Sequence, residues 1–301
     1  MQIGVDFGGT KIEAAALAPD GGVLARLREP NPGDYDAAIE TVARLIARVE
    51  AEVGVPGSIG VGIPGSPSPR TGLIRNANST YLNGRPFGAD LAARLGREVR
   101  LANDANCLAL SEAADGAGAG ARTVLAVILG TGCGAGLVVD GRLVEGAHGV
   151  AAELGHIPLP WPAPDETPGP ACWCGLRGCL ETWISGTGLQ RDHAAATGQT
   201  LAAPDMVAAA EAGQSDAVAS LGRYTDRLAR ALAMAVNLVD PDVIVLGGGM
   251  SNVAALYPAL PPVIARHVFA DAWDAPVVAA RWGDSSGVRG AAWLWPRGSP
   301  G

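Results

Sequence analysis

Residues 2–30 and residues 123–144 run through one order twice: apolar strand, glycine turn, strand, Asp-Gly turn, strand. QIGVDFGGTKIEAAAL makes the first pass, turned by Asp20, Gly21 and Gly22 into VLARLREP, and TVLAVILGTGCGAGLVVDGRLV makes the second. Apolar runs punctuated by such turns fold back as hairpins. The pattern restarts after residues 116–121, which are all Gly or Ala and read as a hinge or crossover. Two α/β halves of similar architecture, an internal duplication, are the reading this supports. Two unrelated α/β domains are the competing one.

Between the hairpins the period changes. Ile39, Val42, Leu45, Ile46 and Val49 recur at helical spacing, which predicts a helix over 35–53. SIGVGIPG is a short apolar strand stopped by Pro64 and Gly65, residues 87–95 are a second helix, 99–102 a strand, and Asp104 opens a third helix running to about residue 114. In the second half, long helices run from HAAATGQ to Asn237, and DVIVLGGGM is a buried strand ending on three glycines. Strands alternating with helices argue for sheets covered by helices. The expected division is an N-terminal α/β domain over 1–115, a C-terminal α/β domain over 116–285, and a terminal helix over 286–301 that packs back on the first.

Composition removes several functions. With 48% hydrophobic residues in 301 and a net charge of −8, the chain can bury a core and is no disordered tail. The acidic balance, 30 Asp plus Glu against 22 Lys plus Arg with Lys11 the sole lysine, leaves no basic stripe to neutralise phosphates, and nucleic acid is not an expected partner. The uncharged stretch 123–139 is broken by glycines and falls short of the ~20 apolar residues a membrane span needs. The N-terminus lacks the basic and apolar regions of a signal peptide, so a cytoplasmic location is expected. Three of the five cysteines, Cys172, Cys174 and Cys179, fall within eight positions, which in a reducing compartment favours a metal over a disulfide framework.

DFGGTK at residues 6–11 places Gly8 and Gly9 between strands, where backbone N–H groups can approach a phosphate that a side chain would block. Thr10 and Lys11 add a hydroxyl and a cation, although a Gly-Gly pair in a hairpin is also an ordinary turn. GTGCGAG takes the equivalent place in the second half, and Gly247, Gly248 and Gly249 form a third cluster; together they make a nucleotide site credible. The spacing fits neither GxxxxGK[ST] nor a GxGxxG dinucleotide fingerprint. Asp104 follows a strand and starts a helix, so it reads as an N-cap, as a carboxylate that takes the proton of an attacking hydroxyl, or as both.

CxC followed by CxxxxC, with His156 sixteen residues before Cys172, supplies the four ligands that close a tetrahedral structural zinc site. A buried apolar cysteine cluster and a redox thiol pair are the alternatives. Glu153 and Glu181 bracket this segment and by themselves read as solvated acids.

DFGGTK, GIPG, NDAN, GTGCGAG, ELGH, CxCGxxGCxE and DVIVLGGG, in this order over residues 4 to about 295, resemble the ROK group of sugar kinases and repressors. The resemblance implies a two-domain actin/hexokinase-like (ribonuclease H-like) α/β fold with an active-site cleft between the domains. It also implies roles. Asp104 would be the general base, while Gly65, Asn78, Asn103, Asp104, Glu153, His156 and Glu181 would hold the sugar. Asp6, Gly8, Gly9, Thr10 and Lys11 would handle the phosphates and, through Asp6, the Mg²⁺ of MgATP. Gly130, Thr131 and Gly132 would make a second phosphate loop, and Gly247, Gly248 and Gly249 would border the adenosine. Structural Zn²⁺ would sit on His156, Cys172, Cys174 and Cys179.

Within the group, NANSTYLNG at 76–84, LANDANCLALSEA at 101–113 and GDSSGVRGAAWLW at 283–295 resemble bacterial fructokinases of the manno(fructo)kinase type. The expectation is therefore an ATP-dependent fructokinase that phosphorylates the 6-hydroxyl of D-fructose and possesses some activity on mannose. The alternatives are a kinase of N-acetylglucosamine, N-acetylmannosamine or glucose in the same family and, outside enzymes, a sugar-sensing regulator. Met1 directly precedes the first strand, so the helix-turn-helix of the family's repressors is not expected. A zinc hydrolase fails because three Cys and one His leave no open coordination position. The resemblance implies a homodimer; the tail at 297–301 extends past it and, as a chain terminus, is expected to be disordered.

Overall fold

In the computed structural model, residues 1–296 are described, and the expectation for the tail at 297–301 lies outside them. The chain divides into two compact units. One comprises Met1–Gly120, Gly136–Ala151 and the chain from Arg281; the other comprises Ala121–Ala135 and Ala152–Ala280.

The first unit opens with β1 (Gln2–Phe7), β2 (Lys11–Leu17) and β3 (Val23–Pro30), the meander its turns dictate. α1 (Tyr35–Val53) starts on an Asp34 side chain that accepts from the Ala37 N–H and stops at Gly54 with φ 84°. β4 (Ser58–Ile63), the short pair β5 (Ser66–Pro67) and β6 (Ile74–Arg75), α2 (Phe87–Leu95), β7 (Val99–Asn103) and α3 (Asp104–Asp115) follow. The five-stranded sheet has the order β3-β2-β1-β4-β7, antiparallel through the meander and parallel from β1 onward.

Strand alternation sorts its two faces. Ile3, Val5, Ile59 and Val61 turn into a core shared with the apolar stripe of α1. Gly4 and Gly60, paired in register between them, leave the opposite face bare. α9 (Ser286–Ala292) occupies that space: a Cβ on Gly4 would fall on the Val288 carbonyl and one on Gly60 on the Ala291 carbonyl. The terminal helix thus packs on β1 and β4, but it ends at Ala292.

β8 (Thr123–Leu129), β9 (Cys133–Val139) and β10 (Arg142–Leu143) repeat the meander, and the second sheet has the order β10-β9-β8-β11-β12. Between its strands come α4 (Glu181–Ile184), α5 (Gly186–Thr197), α6 (Ala203–Glu211), α7 (Ser215–Val239), β11 (Val243–Gly247), α8 (Leu256–Ile264) and β12 (Val277–Ala279). α7 turns Tyr224, Leu228, Leu232 and Val236 into the core of the second unit. α5 begins at Gly186, earlier than HAAATGQ suggests, because the Ser185 hydroxyl caps it by accepting from the Gly188 N–H. Among the described residues no helix is long and apolar enough to cross a membrane.

The expected domain over 116–285 differs from this division at its ends, where 116–120 and 281–285 belong to the first unit, and most at residues 136–151, which also group with the first unit. A Cβ on Gly136 would press on the Ala105 carbonyl and Ala109 of α3, and the Arg75 guanidinium donates to the carbonyls of His148 (2.6 Å) and Gly149 (3.2 Å).

Candidate functional site

The parallel strands of the first unit end together. Asp6 pairs with Gly62, and Ile63 with Asn103, so Asp6, the loop at Gly65 and Asp104 leave the sheet along one carboxyl edge, the edge where open α/β sheets bind ligands. Between β1 and β2 the turn carries Gly8, Gly9, Thr10 and Lys11, the last three exposed. Asn31 braces it: its Nδ2 donates to the Gly8 carbonyl (2.7 Å) and its backbone N–H to that of Thr10 (2.9 Å). Space beside Gly9 is open.

Asp6 lies on the α9 face, and a Cβ on Gly287 would approach its carboxylate to 3.0 Å. Glycine at 287 therefore leaves that carboxylate room, a role no motif announced. Gly65 has φ 75°, and a side chain there would strike the Arg75 carbonyl and the Ala77 N–H. This close approach seats the segment bearing Asn78 against the end of β4. Asn83 fixes the same segment by pairing with both backbone groups of Ala77 at 2.9 Å.

The α3 cap belongs to Asn103, whose side chain accepts from the Asn106 N–H at 2.7 Å, so Asp104 stands at the first helical position instead of the N-cap. One of its oxygens accepts from the Ala105 N–H (2.8 Å). The residue is open to solvent, yet the protein packed around the carboxylate pushes its pKa above the ordinary range, with N–H groups of Ala105 and Asp104 opposing. Cys107, one turn on, is wholly buried; burial, then the charges of Asp6 and Asp104, push its thiol well up. That thiol is inert as a nucleophile and marks the two carboxylates as its neighbours.

In the second unit, the turn Gly130–Thr131–Gly132 is tied to the start of α5: the Gly186 N–H donates to the Gly130 carbonyl (2.7 Å), and the Thr187 hydroxyl to that of Thr131 (2.7 Å). These residues open on a cavity of about 600 Å³ whose lining includes Gly130, Thr131, Gln190, Ala203, Val207, Gly249, Met250 and Asn252. Gly132 and Gly247 are not in that lining. Gly248, at φ 78°, packs on the Leu129 backbone where a Cβ would fall 2.6 Å from the carbonyl oxygen. The lining from α5 and α6 carries no motif and was illegible in the sequence. A groove of about 520 Å³ on α1 and α2 also exists, but its Arg94 and Arg97 are already paired with Glu40 and Glu50.

A short zip between residues 157–159 and 178–180 brings the sulfur cluster together: the Leu180 N–H donates to the Ile157 carbonyl (2.8 Å) and Leu159 to Gly178 (3.0 Å). His156, Cys172, Cys174 and Cys179 then offer donor atoms all within 4.8 Å of one another. Nδ1 of His156 faces the Cys172 sulfur at 3.7 Å, leaving Nε2 on the far side of the ring. Three thiols and an imidazole in this compass fit tetrahedral Zn²⁺. The turn bearing Glu153 and His156 is seated by Gly155, where a Cβ would fall on the Cys133 carbonyl. Glu181 arrives on the same side, its Oε2 accepting from the Cys133 N–H (3.1 Å) and its Oε1 from the Trp173 indole (2.6 Å).

Comparison with known proteins places this geometry in context. The ROK family model matches residues 2–298. The chain is similar to an N-acetyl-D-glucosamine kinase of Aliivibrio salmonicida, 42% identical over 98% of this chain and 99% of that protein. Among solved structures it is similar to a ROK hexokinase of Thermus thermophilus, with TM-score 0.87 and 35% identity over 97% of this chain and 96% of the other. It is also similar to a ROK glucokinase of Streptomyces griseus in complex with glucose and AMPPNP, with TM-score 0.79 and 30% identity over 99% of both chains. The expected fructokinase is corrected by the first of these likenesses. The resemblance of the segments at 76–84 and 283–290 to fructokinases therefore does not fix the substrate.

Proposed function

The chain belongs to the ROK family, with its actin/hexokinase-like fold, and from that premise we propose that it is a kinase transferring the γ-phosphoryl group of MgATP to the primary hydroxyl of N-acetyl-D-glucosamine. The observation that carries this reading is the 42% identity to an N-acetyl-D-glucosamine kinase along virtually the whole of both chains.

In this reading each part has a job. Asp104 takes the proton of the attacking hydroxyl as its oxygen meets phosphorus. Its raised pKa makes it a better proton acceptor than an ordinary carboxylate. Gly8, Gly9, Thr10 and Lys11 present N–H groups, a hydroxyl and an ammonium to phosphate oxygens, and Asp6 is the carboxylate for Mg²⁺. Gly130 and Thr131, in the lining of the 600 Å³ cavity, take the remaining phosphates, with the adenosine in the same cavity beside Gly249. Gly65, Asn78, Asn103, Glu153, His156 and Glu181 hold sugar hydroxyls. Zn²⁺, when bound, fixes the fold of the Cys172–Cys179 loop and the tautomer of His156. Nε2 of His156 remains available to a sugar hydroxyl. We include a homodimer in this reading.

Glucose is the second substrate to weigh, because the glucokinase complex shares 30% identity along the full chain. ADP release from MgATP with each sugar added singly tests the enzyme reading. Release with N-acetyl-D-glucosamine is expected; silence on every hexose would turn the protein into a sugar sensor.

A further inference from the structure

Trp173 is an exposed aromatic with two specific contacts. It lies between two sulfur donors, Cys172 and Cys174, and is 64% exposed. Burial therefore does not explain its placement. Its indole N–H donates to Oε1 of Glu181 at 2.6 Å, and its ring meets the His156 ring edge to face, with centroids 4.9 Å apart and planes at 88°. One side chain thus touches both Glu181 and His156.

We propose that Trp173 is a positioning residue for hexose binding, acting through Glu181 and His156; this rests on the reading above that those two residues hold sugar hydroxyls. Glu181 has one oxygen held by the Cys133 N–H and the other by the Trp173 indole, so the carboxylate plane is fixed from two sides. Each oxygen keeps a second lone pair for a hydroxyl donor. The edge-to-face contact restrains the imidazole about its Cβ–Cγ bond, while Nδ1 is turned toward Cys172. A sugar then meets acceptors already oriented, and the ordering of a flexible glutamate is not charged against its binding. Because Trp173 is flanked by two of the expected zinc ligands, folding of that loop also sets where the indole stands.

The test is calorimetric titration of N-acetyl-D-glucosamine into the full protein without nucleotide, alongside zinc content and steady-state kinetics. Trp173→Phe keeps a ring against His156 and removes the N–H. Its sugar affinity is expected to fall about tenfold, the scale of one charge-assisted hydrogen bond at a partly exposed site. KM for the sugar should rise in step, with kcat, KM for ATP and zinc content within twofold of wild type. Trp173→Ala should lose at least as much, and Trp173→Gln, which restores a side-chain N–H, should recover part of it; this second pair decides the matter even if the Phe variant loses zinc. Wild-type affinity in Trp173→Phe, or a Gln variant no better than Ala, overturns the proposal. Glu181→Gln separates the two levels. Lost affinity there with none lost in Trp173→Phe sinks the positioning role alone, whereas unchanged affinity in both sinks the sugar-binding reading with it.

Discussion

Asp104 has its position set by one chain feature and its chemistry by another. Asn103 takes the cap, so the Asp104 carboxylate can be neutralised without unravelling α3. Asp104→Asn is expected to keep the fold and sugar binding while cutting turnover by at least ~10²-fold, the scale of general-base removal. Turnover near wild type would remove Asp104 from the mechanism. The pKa shift adds a sign. A carboxyl whose folded pKa lies above its unfolded value favours the native state in its protonated form, so stability falls as pH rises from the unfolded pKa through the folded one. The neutral Asn variant should therefore melt no lower than wild type near pH 7, with any advantage fading toward about pH 4, the ordinary carboxylate range. Asp104, the turn glycines and the sulfur cluster were legible because each belongs to a local motif. Gly287 and the Trp173 contacts were not. What they touch, Asp6, His156 and Glu181, is distant in sequence or set by side-chain rotation.

Elements were legible wherever burial follows a clean period. The stripe from Ile39 to Val49 gave α1, and the apolar runs at β1, β4 and β11 gave strands. The proline-rich residues 160–171 had no period to read, and their role emerges only from contacts. Glu166, 7% exposed, binds Arg227 (2.7 Å) and Arg230 (2.9 Å) of α7, and Arg230 also donates to the Pro160 and Trp161 carbonyls. The segment leading into the cysteine loop is thereby fastened to the longest helix of the second unit. Burial alone would raise the Glu166 carboxyl, but the Arg230 and Arg227 guanidiniums and the Ala163 N–H outweigh it and hold it at about 2. A depressed carboxyl contributes stability that is present above its unfolded pKa of about 4.3 and is lost as pH falls toward the folded value. Glu166→Gln should cost about 3 kcal/mol, the low end for breaking a buried pair, since Arg227 keeps Asp192 and Arg230 keeps Asp226. Chemical denaturation checks this: the gap to wild type should be full at pH 7 and should narrow below about pH 4. Equal stabilities at pH 7 would mean the cluster is neutral.

At the scale of the molecule, the two sheets share one plan, a meander joined to parallel strands: β3-β2-β1-β4-β7 and β10-β9-β8-β11-β12. The repeated turn chemistry at residues 2–30 and 123–144 foretold it, since a hairpin can be read from its own few residues. Residues 136–151 escaped that reading because their grouping depends on packing against α3. Substrate identity escaped it for a related reason. In the proposed mechanism the legible motifs are assigned to phosphates, a proton and a metal, and none of those roles by itself chooses the sugar. A competition with equimolar N-acetyl-D-glucosamine, glucose and fructose over limiting MgATP reads that choice directly, because the first products partition by kcat/KM. N-acetyl-D-glucosamine 6-phosphate should dominate the early product; glucose or fructose 6-phosphate in excess would contradict the assignment.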